Sequence, residues 1–238
     1  MYRLWTSYVF FDHKGCKNGL FCTIFIPMTK QGNTNMGINI ELIKEKVRQY
    51  HAGEASGHDW GHISRVHANA VKIAAAHLEA DKYVVECAAL MHDVADHKIV
   101  SQENMPQTLA MMETWLREAG GSDTFVHTVM LICGNISFSK RDTNATLPIE
   151  GLIVQDADRL DAIGAVGIAR AFAFGGAHGR AIYSPGGKDD TVSHFHEKLL
   201  KLKDMMNTDA GRDMACRRHA FMERFLEEFM HECGGRKH

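Results

Sequence analysis

The feature of the sequence that most restricts the fold is an apolar segment, residues 84–91, that leads directly into His92 and Asp93. Such a segment is typical of a buried helix, and burying an imidazole and a carboxylate together costs several kcal/mol unless each is paired or bound to a cation. Two other segments carry side chains that could complete a site around this pair: residues 58–62 (HDWGH) and residues 156–161 (DADRLD). We interpret the three segments together as one divalent-metal site.

From residue 36 onward the hydrophobic pattern is almost wholly helical. Apolar residues recur at steps of three and four positions, which places them on one face of a helix. This spacing predicts helices over residues 40–47, 63–77, 85–92, 106–119, 125–136, 148–160, 192–206 and 214–229. The glycine-rich part from 164 to 187 predicts one short helix and a long loop. The predicted fold class is therefore all-α, with about eight to nine helices.

Residues 1–35 differ from the rest of the chain. They are rich in aromatic residues mixed with Lys, Gly and Asn, and they show no helical period, although a strand or hairpin fits residues 20–26. Met36, followed by GINIE, looks like a natural protein start. We therefore divide the chain into an N-terminal extension, residues 1–35, that the fold does not need, and one helical domain, residues 36–238.

The composition of the 238-residue chain argues against several classes of protein. A net charge of −2 gives no general electrostatic reason for binding nucleic acid or an anionic membrane. No run of residues approaches the roughly 18 apolar residues of a membrane span. The six cysteines contain no CxxC pair, which favours reduced thiols over disulfides or a cysteine zinc site. We expect a cytoplasmic protein.

Spacing indicates which side chains in the first two segments could share one ion. His58 and His62 lie four residues apart and would share a helical face, but neighbouring glycines leave the helix start open, so only His62 is safely helical. His92 and Asp93 stand at a helix end, where both can reach one ion from neighbouring sides. Two imidazoles and two carboxylates suit a hard or borderline divalent ion.

The third segment offers three candidate carboxylates for the same ion. Asp158 competes with Asp156 and Asp161 for the role of ligand. Leu160 and Ile163 define a buried helical face on which Asp156 is less well placed. The residues alone therefore disfavour Asp156 and leave Asp158 and Asp161 open.

His62, the pair His92–Asp93 and the distant Asp158 resemble the H…HD…D signature of the HD superfamily of metal-dependent phosphohydrolases, and within it the small stand-alone bacterial branch. The similarity covers roughly residues 38–230 and is carried by residues 58–66, 88–98, 154–164 and 194–208. It implies an all-α HD-domain helical bundle in which these four residues hold a divalent cation. It also implies hydrolysis of a phosphoester or a phosphoanhydride, and some members of the branch cleave nucleoside triphosphates.

The chain departs from the better-known form of the signature directly after Asp93, where Val-Ala-Asp replaces Ile-Gly-Lys. The additional histidines of the two-metal members are not evident, so we expect one divalent cation. The candidates are Mn, Mg, Co, Ni, Fe and Zn, among which His and Asp ligands discriminate little. We favour Mn.

Acidic residues beside the proposed ligands are candidates for catalysis. Asp96 lies one helical turn beyond His92 and could orient or deprotonate an attacking water, with Asp93 completing the catalytic pair. A cation lowers the pKa of bound water and neutralises charge on phosphoryl oxygens. The alternative is that Asp96 and Lys98 form a surface pair without a catalytic role.

Basic residues near the same segments are candidates for binding substrate phosphates. Arg65 could bind phosphate through two hydrogen bonds, and Lys98 and Lys140 could bind it as point charges. The alternative for Arg65 is a salt bridge to Asp96 or Asp161. Lys140 belongs to a polar loop, and only its position in the sequence makes it a candidate.

Together these features predict a phosphohydrolase whose favoured substrate is a nucleotide such as a nucleoside triphosphate. One alternative is a hydrolase of an alarmone or a cyclic dinucleotide, and another is a non-catalytic sensor or scaffold that holds the metal for structure. We expect a small phosphorylated substrate, no membrane, no stable nucleic-acid partner, and a homodimer as the first oligomer to test for.

The division at residue 36 makes the first testable prediction. A chain that begins at Met36 is expected to fold with an unchanged melting temperature, because the helical pattern starts after that residue. Thermal unfolding of the shortened and complete chains, followed by circular dichroism, measures the difference. A large drop in melting temperature on shortening would contradict the division.

Overall fold

The computed structural model describes residues 37–53, 59–97, 99–136, 146–187 and 189–234. Within these ranges the chain forms nine α-helices, one 3₁₀ helix and no strand, which confirms the all-α prediction. The α-helices are α1 (Ile40–Tyr50), α2 (Trp60–Ala74), α3 (Lys82–Met91), α4 (Met105–Glu118), α5 (Asp123–Asn135), α6 (Ile149–Asp161), α7 (Gly164–Ala177), α8 (Thr191–Glu197) and α9 (Asp209–Glu232). The 3₁₀ helix is Leu199–Met205. The proposed extension, with the strand or hairpin considered at 20–26, lies outside the described residues.

Short polar side chains define where most of these helices begin. Each accepts a hydrogen bond from a backbone N–H of the first turn, which satisfies a donor that has no partner inside the helix. The capping residues are Asn39, Asp59, Asp81, Ser122, Asp190 and Thr208. Between α6 and α7, Gly164 adopts a φ of +78°, and a side chain at this position would meet Arg218. The chain therefore turns at Gly164, and the two helices are bent by 65°.

Helices α2, α3 and α6 form the centre of the core. α2 packs against α3 and α6, and α3 also packs against α5 and α6. The fully buried side chains here include Ile63 and Ile73 of α2, Leu90 of α3, and Ile153 and Leu160 of α6. Each contributes about 1.5–3 kcal/mol by leaving water. The same packing fixes the positions of the polar side chains on these three helices.

The prediction of one short helix after residue 164 was wrong in length, because α7 has 14 residues. Its glycines allow close packing instead of ending the helix. A Cβ at Gly167 would collide with the Ala162 carbonyl oxygen, and a Cβ at Gly175 would collide with Thr191. Phe172 of the same helix packs against aromatic rings of α8 and α9.

The prediction of one helix over residues 192–206 was also wrong, because the chain breaks at Lys198, where φ is −133°. α8 ends before this residue, and the 3₁₀ helix follows it. A 3₁₀ helix has three residues per turn, so Leu199 and Leu202 share one face and both remain buried. The apolar spacing therefore identified the buried side chains correctly but not the break between the helices.

No single helix among the described residues is long and apolar enough to cross a membrane. Only when α6 and α7 are counted as one bent segment are they long and apolar enough to do so. Most residues of α6 are buried in the core.

Asp156, on α6, joins this helix to the start of α9. Its side chain is fully buried and accepts hydrogen bonds from the backbone N–H of Asn207 at 2.8 Å and from the backbone N–H and hydroxyl of Thr208, each at 2.8 Å. A carboxylate with these partners satisfies its buried charge through α9. In these contacts Asp156 has a structural role, because it connects α6 to the start of α9.

Candidate metal centre

Four side chains from three helical segments meet at one point. His62 lies in the first turn of α2, His92 and Asp93 directly follow α3, and Asp158 lies on α6. The Nε2 atoms of the two histidines are 3.3 Å apart. Asp93 Oδ2 lies 3.3 Å from Nε2 of His62 and 3.4 Å from Nε2 of His92. Asp158 Oδ1 lies 3.6 Å and 3.9 Å from the same two nitrogens.

The second nitrogen of each imidazole has an acceptor of its own. His92 Nδ1 donates to the backbone carbonyl of Ala89 at 2.9 Å, and His62 Nδ1 donates to Asp161 Oδ2 at 2.8 Å. In a neutral imidazole with Nδ1 protonated, Nε2 carries a lone pair. Both histidines therefore direct a potential ligand atom toward the two carboxylates.

This donor set fits a divalent cation. Atoms that each lie ~2.1 Å from one ion are typically ~3–4 Å from each other, and the distances between these atoms fall in that range. Without a positive charge between them, two lone pairs and two carboxylates would repel one another. One ligand atom from each of His62, His92 and Asp158 lies within 4.8 Å of the other two, so these three residues could hold an ion.

Burial gives the cluster a closed side and an open side. The side chains of His62, His92 and Asp93 are at most 9% exposed, whereas that of Asp158 is 41% exposed. A ligand from solvent can therefore approach the cluster past Asp158. The structure also distinguishes two of the carboxylates that the sequence offered as ligands. Asp156 is hydrogen-bonded to the segment before α9, whereas Asp158 lies near the two histidines.

The pKa of His62 is raised from 6.5 to about 9. Burial alone would disfavour the charged imidazolium, but hydrogen bonds to Asp161 and Asp93 and the negative charges of Asp158 and Asp93 outweigh it. At neutral pH, a proton on His62 would partly offset the negative charge of the cluster. A cation that binds there must displace this proton.

Asp161 and Arg170 form a second layer of contacts around His62. Asp161 Oδ1 accepts a hydrogen bond from Arg65 Nε at 2.7 Å, and Oδ2 accepts one from Arg65 Nη2 at 3.0 Å and another from Arg170 Nη1. Burial opposes ionisation of Asp161, but the bonds from His62 and Arg65 hold the pKa of the carboxyl well below its usual value. Of the two salt bridges considered for Arg65, the structure contains the one to Asp161.

Sequence reasoning did not identify Arg170 as a residue of this site. The only signal for it was an arginine in the glycine-rich part of the chain, where a short helix without an assigned face was expected. In the structure, α7 is long enough to carry Arg170 to the end of α6, where Asp161 lies. Its contact with the site thus depends on the packing of α7.

The remaining predicted site residues fall outside the donor cluster or outside the described residues. Asp96 follows the cluster along the chain, and its Oδ1 lies 3.3 Å from His97 Nδ1. Its carboxylate is largely buried, which differs from the surface pair considered as an alternative. His58, Lys98 and Lys140 lie outside the described residues.

Known proteins are similar to most of the chain. The uncharacterised protein YpgQ of Bacillus subtilis is 43% identical over 197 residues, which are 82% of this chain and 94% of that protein. The crystal structure of YpgQ in complex with ADP superposes with a TM-score of 0.70 at 41% identity and covers 81% of this chain and 97% of that one. An HD-superfamily hydrolase of Bacillus thuringiensis gives a TM-score of 0.70 at 41% identity and covers 83% and 97%. No protein-family model matches the sequence.

The raised pKa of His62 predicts how the stability of the metal-free protein depends on pH. The folded state binds this proton more tightly than the unfolded state, so the stabilisation is complete below pH 6.5 and is lost as the pH rises through about 9. At ~1.4 kcal/mol per pKa unit, the loss is at most about 3–4 kcal/mol. Denaturant unfolding with a chelator present, between pH 6 and pH 9.5, measures it.

The control for this prediction is His62→Gln, which cannot take up the proton. We expect its stability to fall less than that of the wild type over the same pH range, so the difference between the two curves isolates His62. Equal pH dependence in both proteins, or a wild-type stability that rises relative to the variant, would contradict the assignment.

Proposed function

The chain belongs to the HD superfamily of hydrolases, and we propose that it is a divalent-metal-dependent phosphohydrolase acting on a nucleotide such as a nucleoside triphosphate. The observation that carries the proposal is the convergence of the Nε2 atoms of His62 and His92 with the carboxylates of Asp93 and Asp158. These donors come from segments that are distant in sequence, and the side chains of His62, His92 and Asp93 are buried. Packing alone gives no reason to bury them together.

In this proposal His62, His92, Asp93 and Asp158 would hold one divalent cation, with Mn favoured. When bound, the cation supplies a water of lowered pKa and positive charge for the phosphoryl oxygens. The protein contributes the closed side of the site, where burial limits competing water, and the open side at Asp158, where a substrate phosphate can enter. Asp93 acts as both ligand and catalytic residue.

Four further residues are given roles because of where they lie in the chain or near the cluster. Asp96 is proposed to orient or deprotonate the attacking water, because its carboxylate is close to the ligand pair along the chain and largely buried. Arg65 is proposed to bind a substrate phosphate. Lys98 and Lys140 keep their proposed phosphate-binding roles on the strength of the sequence.

A nucleotide is favoured over other phosphorylated compounds because the relative YpgQ was crystallised with ADP. That complex supports a small ligand that carries linked phosphates. A net charge of −2 likewise favours a small substrate over a nucleic acid. Alarmones and cyclic dinucleotides contain the same kinds of phosphorus–oxygen bonds, so they belong in the substrate panel.

The test measures hydrolysis of a panel of nucleotides. The protein is first freed of metal with a chelator, and one divalent metal is then added at a time. Wild type is compared with Asp93→Ala and with Arg117→Ala, whose exposed salt bridge to Asp123 lies outside the cluster. We expect turnover only with added metal, a loss of at least ~100-fold in Asp93→Ala, and no change in Arg117→Ala, because the metal supplies several kcal/mol of transition-state stabilisation. Chromatography of the products identifies the bond that breaks.

The outcomes separate the candidate functions. Turnover confined to alarmones or cyclic dinucleotides would contradict the proposed substrate but support the proposed phosphohydrolase reaction. Protein that binds the ion and gains melting temperature from it, yet hydrolyses nothing in the panel, would contradict the proposal and favour a sensor or scaffold.

A further inference from the structure

A single buried carboxylate, that of Asp161, connects the candidate metal centre with two arginines. It is 1% exposed, and it accepts hydrogen bonds from His62 of α2, from Arg65 of α2 and from Arg170 of α7. The arginine side chains are 41% and 32% exposed, respectively. The carboxylate is therefore sealed from solvent, while both guanidinium groups border it.

We propose that Asp161 is a positioning residue for metal and substrate together: it orients His62 for the cation, and it holds Arg65 and Arg170 beside the metal centre as a clamp for a second phosphoryl group of the substrate. The inference rests on the proposed function. It adds Asp161 and Arg170 to the site and gives the site a preference for compounds with linked phosphates.

The first part of the argument concerns how each imidazole is oriented. His92 is oriented by its own helix, because its Nδ1 donates to the carbonyl of Ala89, three residues earlier. His62 depends on a side chain 99 residues away, because its Nδ1 donates to Asp161 at 2.8 Å. Without that acceptor, the ring is free to change its tautomer and its rotation, and Nε2 no longer faces the cluster reliably. Loss of such a partner typically costs 10–100-fold in metal affinity.

The second part concerns charge. Two guanidinium groups share the single carboxylate of Asp161 beside the metal centre. Asp59 and Arg218 also lie within electrostatic reach of these groups. A phosphoryl group next to the one on the metal would accept charge-assisted hydrogen bonds from both guanidinium groups.

The third part concerns position and access. Arg170 Nη1 lies 2.8 Å from His62 Nδ1, so the guanidinium is one imidazole ring away from the ligand atom Nε2. Position 61 is glycine, and a Cβ there would lie 3.1 Å from Asp59 Oδ1 and 3.3 Å from Arg65 Nη1, so a larger residue would crowd the Arg65 guanidinium. Guanidinium groups bind phosphate through paired hydrogen bonds that lysine cannot reproduce. The arginines approach from two helices, so they can hold one phosphoryl group between them.

The experiment measures metal binding and phosphate binding separately. The first titration adds Mn²⁺ to chelated protein. The second adds methylenediphosphonate, which has two linked phosphoryl groups and no cleavable bridge, or inorganic phosphate, to the Mn²⁺-loaded protein. The variants are Asp161→Asn, Arg170→Ala and Arg170→Lys. The controls are Asp156→Asn, a buried carboxylate on the same helix, and Arg117→Ala, an arginine in an exposed salt bridge.

We expect Asp161→Asn to weaken both Mn²⁺ and diphosphonate binding by ~10–100-fold. Arg170→Ala should leave Mn²⁺ affinity within about threefold and weaken diphosphonate binding by at least ~10-fold, with the binding of inorganic phosphate little affected, because charge-assisted hydrogen bonds to the second phosphoryl group are lost. Arg170→Lys should recover part of the loss. Asp156→Asn should lower the melting temperature without changing Mn²⁺ affinity, and Arg117→Ala should change neither affinity.

Three results would overturn the proposal. They are unchanged Mn²⁺ affinity in folded Asp161→Asn, an equal loss of both affinities in Asp161→Asn and Asp156→Asn, and diphosphonate binding that is indifferent to Arg170. If Asp161→Asn does not fold, the Arg170 variants still test the proposal, because Arg170 is partly exposed. In these variants the affinity for diphosphonate must fall while the affinity for Mn²⁺ does not. Neither titration requires turnover, so failure of the hydrolase proposal remains distinguishable from failure of this one.

Discussion

Repulsion among four clustered polar groups, three of them buried, is the constraint on which the rest of the structure depends. The two imidazole Nε2 atoms lie 3.3 Å apart, and each lies 3.3–3.9 Å from one oxygen of Asp93 and one of Asp158, where uncompensated charge is costly. The packing of α2, α3 and α6 is rigid enough to hold them in this arrangement, since their apolar faces are fully buried. A cation between these groups turns the repulsion into binding energy, and in its absence a proton on His62 offsets part of it.

The two histidines proposed as ligands are held by contacts of different kinds. His92 relies on a backbone carbonyl of its own helix, and His62 on the carboxylate of Asp161. Asp156, which sequence reasoning considered as a ligand, instead ties α6 to α9. One helix, α6, therefore carries the proposed ligand Asp158, the partner of His62 at Asp161 and a structural contact at Asp156. This division of roles follows from the direction in which each side chain leaves the helix.

The sequence predicted the all-α fold and the residues that converge, because helical spacing and the pairing of His with Asp are local signals. It did not predict the length of α7 or the break at Lys198, since close packing at Gly167 and a local change of helix type depend on distant neighbours. For the same reason Arg170 was missed: its contact with Asp161 exists only after α7 has packed. Asp161 was considered as a competitor for the ligand role and as a salt-bridge partner of Arg65, but not as the partner of His62.

The most direct test of the account is a crystal structure of the Mn²⁺-loaded protein, with the ion located by its anomalous scattering. The account predicts one peak per chain, at ~2.0–2.3 Å from Nε2 of His62 and His92 and from carboxylate oxygens of Asp93 and Asp158. A peak elsewhere, a second ion of equal height in the site, or protein that takes up no Mn²⁺ while these side chains keep their positions would contradict it.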